Sequence, residues 1–196
     1  MSTGMEKTVE QYNQKQRQLM LLTARGSILH GLKHGQALRV NLKNHDNDLQ
    51  SKRACFVTVY KKSTLHGCIG HLQAVQPLIL DVAQNAYQAA FGGPRSSGLK
   101  KDESDLLKIR ISILSKLKKV QFESEADLLT QIQPEVDGIF LKDGAYSGTL
   151  LPASWELYAN TKDFLNHLKL KAGLSVNHWS DDLEIYRYRA ESFTYN

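Results

Sequence analysis

A chain of 196 residues with 41% hydrophobic and 23% charged residues is long enough to bury a real core and has the balance of a globular protein. No run approaches the roughly 18 apolar residues of a membrane span, and the polar start from Met1 to Gln18 lacks the apolar centre of a signal peptide. The net charge of +5 is mild and its basic pairs are scattered (Lys61-Lys62, Lys100-Lys101, Lys118-Lys119), without the dense stripe of a nucleic-acid face.

In chain order, Glu6 to Lys33 predicts a long helix with Leu21, Ala24, Ile28 and Leu32 at helical spacing and Gly35 as its stop. Asn41 to Lys52 is polar and reads as a loop. Cys55 to Tyr60 is β-branched and aromatic, and Lys62-Ser63-Thr64 turns it into a second strand, Leu65 to Leu72. Gln76-Pro77 opens a helix. Leu78, Val82, Ala86 and Ala89 form one apolar row, Leu80, Ala83, Tyr87 and Phe91 another, and Asp81, Gln84, Asn85 and Gln88 the polar stripe between them. So wide an apolar face belongs to a helix packed into the body of the protein.

Gly92-Gly93-Pro94 ends that helix, and Arg95 to Asp105 reads as a loop. Leu107, Ile109, Ile111 and Ile113 alternate with Lys108, Arg110 and Ser112, the pattern of a half-buried strand. Ser124 to Gln131 predicts a short helix, and Asp143-Gly144 joins Gly138 to Lys142 with Tyr146 to Leu151 as a hairpin. Ser154 to Tyr158 and Lys162 to Lys171 read as helices, with Gly173 as a stop, and Glu184 to Phe193 alternates as a strand. Hairpins mixed with helices, without a βαβ rhythm, predict an α+β fold with a largely antiparallel sheet packed with helices.

The chemistry concentrates in Leu65-His66-Gly67-Cys68-Ile69-Gly70, where a cysteine stands between two glycines inside a predicted strand. Glycine weakens a strand interior, so it marks a bulge, a close backbone approach or space kept beside the sulfur. Two cysteines without an export signal imply a reducing, cytoplasmic setting, where a Cys55–Cys68 disulfide is not expected. On a regular strand His66 and Cys68 project to the same face. A cationic imidazole there, or a nearby Arg, lowers a thiol pKa from about 8.5 towards neutrality. Cys68 is then either a working thiolate or a small buried residue.

His66, Cys68 and His71 have zinc-ligand chemistry, but the local sequence lacks a fourth ligand and His71 is expected on the opposite face. Asn85, on an otherwise buried helix, needs hydrogen-bond partners, and a tie to the hairpin backbone supplies them. His167 and Lys171 share a face of their predicted helix. Pro152 and Trp155 read as packing residues at a helix entry, with Ser154 between them.

The hexapeptide closely resembles the signature of the AMMECR domain family, also called AmmeMemoRadiSam system protein A. Further blocks are similar in order and spacing: Asn85-Ala86-Tyr87 with Ala89-Ala90-Phe91 and Pro94-Arg95; Val136-Asp137-Gly138, Gly148-Thr149, Leu151-Pro152 and Ser154-Trp155; Phe164-Leu165, Lys171-Ala172-Gly173-Leu174 and Trp179. The chain departs from the family pattern in two places. His66 stands where arginine is usual, and Gly92, Gly93 and Ser96 stand where Arg-Asp and Phe are usual, leaving Arg95 as the candidate for an anion.

The resemblance implies a single two-lobed α+β domain over residues 1–196, with a larger and a smaller lobe and no cofactor of its own. It also implies a shared pathway with Memo-like and radical-SAM proteins. The first expectation is therefore an enzyme, or a component of an enzyme pathway, with Cys68 in a cleft between the lobes. His66 tunes or deprotonates the thiol, and Asn85, Arg95, Gly67 and Gly70 position a small polar or anionic substrate. No metal, membrane or nucleic-acid partner is expected. The alternative is a non-catalytic protein-binding or regulatory module, with a link to RNA or translation as its weaker variant.

Overall fold

The computed structural model describes residues 11–92, 99, 103 and 106–195. Its elements are α1 (Gln14–His34), α2 (Asn47–Gln50), β1 (Cys55–Lys61), β2 (Thr64–Gly70), α3 (Leu78–Phe91), β3 (Leu107–Leu114), β4 (Lys118–Val120), α4 (Glu125–Gln131), β5 (Gly138–Asp143), β6 (Tyr146–Leu150), α5 (Thr161–Lys171), β7 (Glu184–Tyr188) and β8 (Ala190–Tyr195). The strands form two four-stranded sheets, ordered β2-β1-β3-β8 and β4-β7-β5-β6. The chain divides into two units, one within Met1–Leu114 and Glu191–Asn196, the other Ser115–Ala190. The fold is α+β, as the mixture of hairpins and helices predicts.

In the first unit, α1 starts later than its Gln-rich approach suggests, because Asn13 and Gln16 form a reciprocal capping box. Ahead of it, the N–H groups of Gln11 and Tyr12 donate to the Glu191 carboxylate, at 2.8 and 3.3 Å. The helix ends as expected at Gly35, whose φ of 68° suits a residue without a Cβ. The segment read as a loop before β1 contains a 3₁₀ turn (Leu42–Asn44) and α2, capped by Asp46. Leu78, Val82, Ala86 and Ala89 are all 0% exposed. They lay α3 against β1 and β2, while α1 packs on α3 and β3. Ile109, Ile111 and Ile113 close the core beside Val57 and Val59.

In the second unit, the β5–β6 hairpin turns at Gly144, with φ of 54°, as the Asp-Gly pair predicts. The residues read as a helix from Ser154 instead form 3₁₀ turns over Pro152–Leu157. Trp155 stacks on Phe164 with ring centroids 3.8 Å apart and donates its indole N–H to Asp137 O at 2.7 Å. Lys169, fully buried, donates to the Glu125 carboxylate at 2.8 Å and to Val176 O at 3.2 Å.

Glu184 to Phe193 is not one strand. Arg189 leaves the ladder, its N–H donating to Ser115 Oγ and its carbonyl accepting from Ser115 N, each at 2.9 Å. The pieces on either side, β7 and β8, join different sheets. Alternation continues across the break, so it cannot reveal it.

Asp143 beside the hairpin turn accepts from Ser180 Oγ at 2.7 Å and lies 2.5 Å from His178 Nε2. The Ser180 hydrogen bond first, and His178 second, hold its carboxyl below the usual aspartate range. A depressed carboxyl contributes stability above its ordinary pKa and loses that contribution as pH falls through the lower, folded value. Asp143→Asn is therefore expected to flatten the most acidic part of the unfolding curve of the second unit. The check is circular dichroism against pH below about 4, and an unchanged acid limb refutes the assignment.

Candidate functional site

The glycines of the hexapeptide are filled in by protein. A Cβ added at Gly67 would lie 2.1 Å from Ala89 O on α3, and one at Gly70 would lie 2.3 Å from Cys55 O and 2.5 Å from the Phe56 ring. Both residues allow close approach, Gly67 of helix to strand and Gly70 of one strand to the next. At both positions the space a side chain would take is occupied by protein atoms.

The strand is not regular. Thr58 faces Cys68 and Val59 faces Gly67, but Tyr60 faces Leu65, so His66 is the extra residue of a β-bulge. Its Nε2 lies 2.9 Å from Ala90 O, in the last turn of α3. A carbonyl only accepts, so this nitrogen donates. The expectation that His66 stands beside Cys68 on one face is thereby corrected, because the bulge resets the alternation and the ring goes to the helix. Imidazole and guanidinium N–H groups both satisfy a C-terminal helix carbonyl, so histidine can stand where the resembled family usually has arginine.

Cys68 is exposed. Gly67 meets α3, so its neighbour Cys68 projects to the opposite face of the sheet. There its sulfur accepts a hydrogen bond from Thr58 Oγ1 at 3.1 Å, and Thr58 is only 5% exposed. Thr58 in turn pairs with Arg110 on β3, so Cys68, Thr58 and Arg110 form one cross-strand row. The half-buried Arg110 guanidinium lies 5.7 Å from the centre of the Tyr60 ring on β1. The sequence reading missed Thr58 and Arg110, since only strand register aligns them with the thiol.

Asn85 lies elsewhere. At 1% exposure it donates to Asp81 Oδ2 at 3.0 Å and reaches Cys55 O at 3.5 Å, so it ties α3 to β1. Asp81, read from sequence as part of a polar stripe, is 0% exposed and gathers the cluster. Its Oδ2 also accepts from the Cys55 thiol at 3.3 Å, and its Oδ1 accepts from Gln76 Nε2 at 2.9 Å. His71 Nδ1 is 2.9 Å from the same Oδ1, close but poorly aligned for a hydrogen bond. Burial, and then the Asp81 charge, push the Cys55 thiol well above its ordinary pKa. Cys55 is a structural donor, and no disulfide joins it to Cys68.

His66, Cys68 and His71 thus turn to three different partners, so the structure does not assemble them as metal ligands. Among the described residues no group of three or more His, Cys, Asp or Glu side chains could hold a metal ion. Arg95 lies outside the described residues. Lys171 donates to Thr149 O at 2.8 Å and His167 packs near Tyr158, both within the second unit. Among the described residues no helix is long and apolar enough to cross a membrane.

The pattern of the AMMECR1 family matches residues 21–193. Protein MK0488 of Methanopyrus kandleri is 33% identical over 90% of this chain and 86% of its own length. Protein MJ0810 of Methanocaldococcus jannaschii is 31% identical over 79% of each chain. The crystal structure of the uncharacterized protein PH0010 from Pyrococcus horikoshii is similar with a TM-score of 0.84 and 29% identity, covering 90% of this chain and 89% of that one.

Proposed function

The chain belongs to the AMMECR1 family, and from that premise we propose that Cys68 is the working thiol of an enzyme, or of a component of an enzyme pathway. The observation that carries this reading is the contrast between the two cysteines. Cys55 is sealed and serves as a hydrogen-bond donor, whereas Cys68 is exposed and accepts a hydrogen bond from the Thr58 hydroxyl at its sulfur. A donor aimed at sulfur favours the thiolate, the form that attacks electrophiles. Memo-like and radical-SAM proteins, implied by the family resemblance, are the pathway partners in this reading.

Alkylation of the native protein by iodoacetamide, followed by peptide mass spectrometry, tests it. Cys68 is expected to label while Cys55 stays protected until unfolding. Thr58→Val is expected to slow Cys68 labelling at neutral pH roughly fivefold, the worth of one hydrogen bond of about 1 kcal/mol. Labelling no faster than a free cysteine peptide, unchanged in Thr58→Val, rejects the reading.

One observation favours the alternative of a protein-binding module: β2 is an edge strand and carries Leu65 at 50% exposure. The two readings part in a complementation assay. A binding module survives Cys68→Ser and fails with Leu65→Asp, and a thiol enzyme shows the reverse.

A further inference from the structure

An arginine on the face of a sheet can be neutralised by a carboxylate. Among the described residues none pairs with Arg110. Its described contact is instead with the face of Tyr60, at 5.7 Å from the ring centre. Stacking of this kind uses the flat side of the guanidinium and leaves its edge of N–H donors available for two parallel hydrogen bonds. The exposed Lys108, opposite Tyr60 in the β1–β3 ladder, adds positive charge to the same strand face.

Register supplies the distance. Arg110 and Cys68 flank Thr58 on opposite sides, which places their Cα atoms two strand spacings apart, roughly 10 Å. Arg110 reaches over β1 to the Tyr60 ring, on the same sheet face that carries the thiol. A cation with open donors, a polarised thiol and a hydroxyl between them share one row of one sheet.

We infer that this row holds its substrate by an anionic group, a carboxylate or a phosphate, bound by Arg110, with the substrate's electrophilic carbon brought to Cys68. The inference rests on Cys68 being the working thiol and names the substrate class that such a site takes. The separation of roughly 10 Å between the two Cα atoms sets the scale of the substrate, whose anionic group and reacting carbon lie close together. Arg110 is here a binding residue and Tyr60 its brace.

Paired alkylating agents read this directly. Iodoacetate carries a carboxylate and iodoacetamide does not, while both deliver the same carbon to sulfur. Iodoacetate is expected to alkylate Cys68 with saturation, and about tenfold faster, relative to iodoacetamide, than it alkylates a free cysteine peptide. Arg110→Gln is expected to abolish that preference, read as the ratio of the iodoacetate to the iodoacetamide rate so that any change in thiolate fraction cancels, and Arg110→Lys to restore part of it. Acetate and inorganic phosphate, added separately as competitors, show which anion the row prefers. An equal rate ratio in wild type and Arg110→Gln overturns the anion site while leaving the thiol reading intact.

If iodoacetamide fails to label Cys68, the thiol reading falls by itself. The anion site is then judged by titrating inorganic phosphate or acetate into protein labelled with ¹⁵N. Saturable shifts at Thr58, Cys68 and Arg110 that vanish in Arg110→Gln support it, and their absence overturns it. Arg110→Gln and Arg110→Lys are compared by thermal unfolding, and whichever retains the wild-type midpoint serves as the reporting variant.

Discussion

Gly67→Ala is expected to cost the first unit about 3 kcal/mol or more, through overpacking against a backbone that cannot step aside. The new methyl would lie 2.1 Å from the carbonyl oxygen of Ala89 and 3.0 Å from its carbonyl carbon. Both atoms belong to the backbone of α3, and Ala86, Ala89 and Ala90 around them are 0% exposed. Relief requires α3 to move away from β2, which opens gaps at Leu78 and Val82 in the same core. Urea unfolding followed by far-ultraviolet circular dichroism measures the loss. A midpoint unchanged from wild type contradicts the helix-on-glycine packing. Any fall in Cys68 reactivity that accompanies Gly67→Ala is then a folding effect, so a loss of function at this glycine is not evidence of catalysis. Thr58→Val, which removes one hydroxyl donor and keeps the side chain's approximate volume, is the cleaner probe of the thiol.

Asp81→Ala is expected to destabilise the first unit by about 2–4 kcal/mol, again read by urea unfolding. The carboxylate is the common acceptor for Cys55, Asn85 and Gln76, with His71 close by, and its removal strands the buried Cys55 and Asn85 donors. Asp81→Asn keeps the shape but directs an N–H₂ group at some of these donors, so it is expected to recover only part of the loss. Pairing Asp81→Ala with Cys55→Ala removes one stranded donor, and a combined loss smaller than the sum of the separate losses establishes the coupling. Cys68 lies on the other face of the sheet, so its alkylation rate in folded Asp81→Ala is expected to match wild type. A change of less than about 0.5 kcal/mol in stability shows that the cluster is not the anchor described here.

These results separate two jobs that the sequence leaves entangled around one motif. Asn85 and the two glycines belong to the packing of α3 against the hairpin. The opposite face carries the proposed thiol site, whose members come from three strands: Cys68 on β2, Thr58 on β1 and Arg110 on β3. In the linear chain Arg110 reads as one more solvated residue between isoleucines. Asp81, four positions before Asn85, reads only as part of a polar stripe, and the structure seals it.

Local pattern was enough for much else. Alternating isoleucines located β3, the apolar rows of α3 predicted its buried face, and Asp143-Gly144 and Gly35 marked a hairpin turn and a helix end. Such features depend on neighbours a few residues away, where the periods of strand and helix and the freedom of glycine act directly. The hexapeptide with its companion blocks likewise carried the family resemblance. What only the tertiary structure decided is direction. One extra residue in β2 turned His66 to the helix and left Cys68 on the other face, and the pairing of three strands put Arg110 in line with it. A bulge and a register are settled by which distant strands meet and how their cores fill. No local period encodes that, so the row of Cys68, Thr58 and Arg110 became visible only when the sheet was assembled.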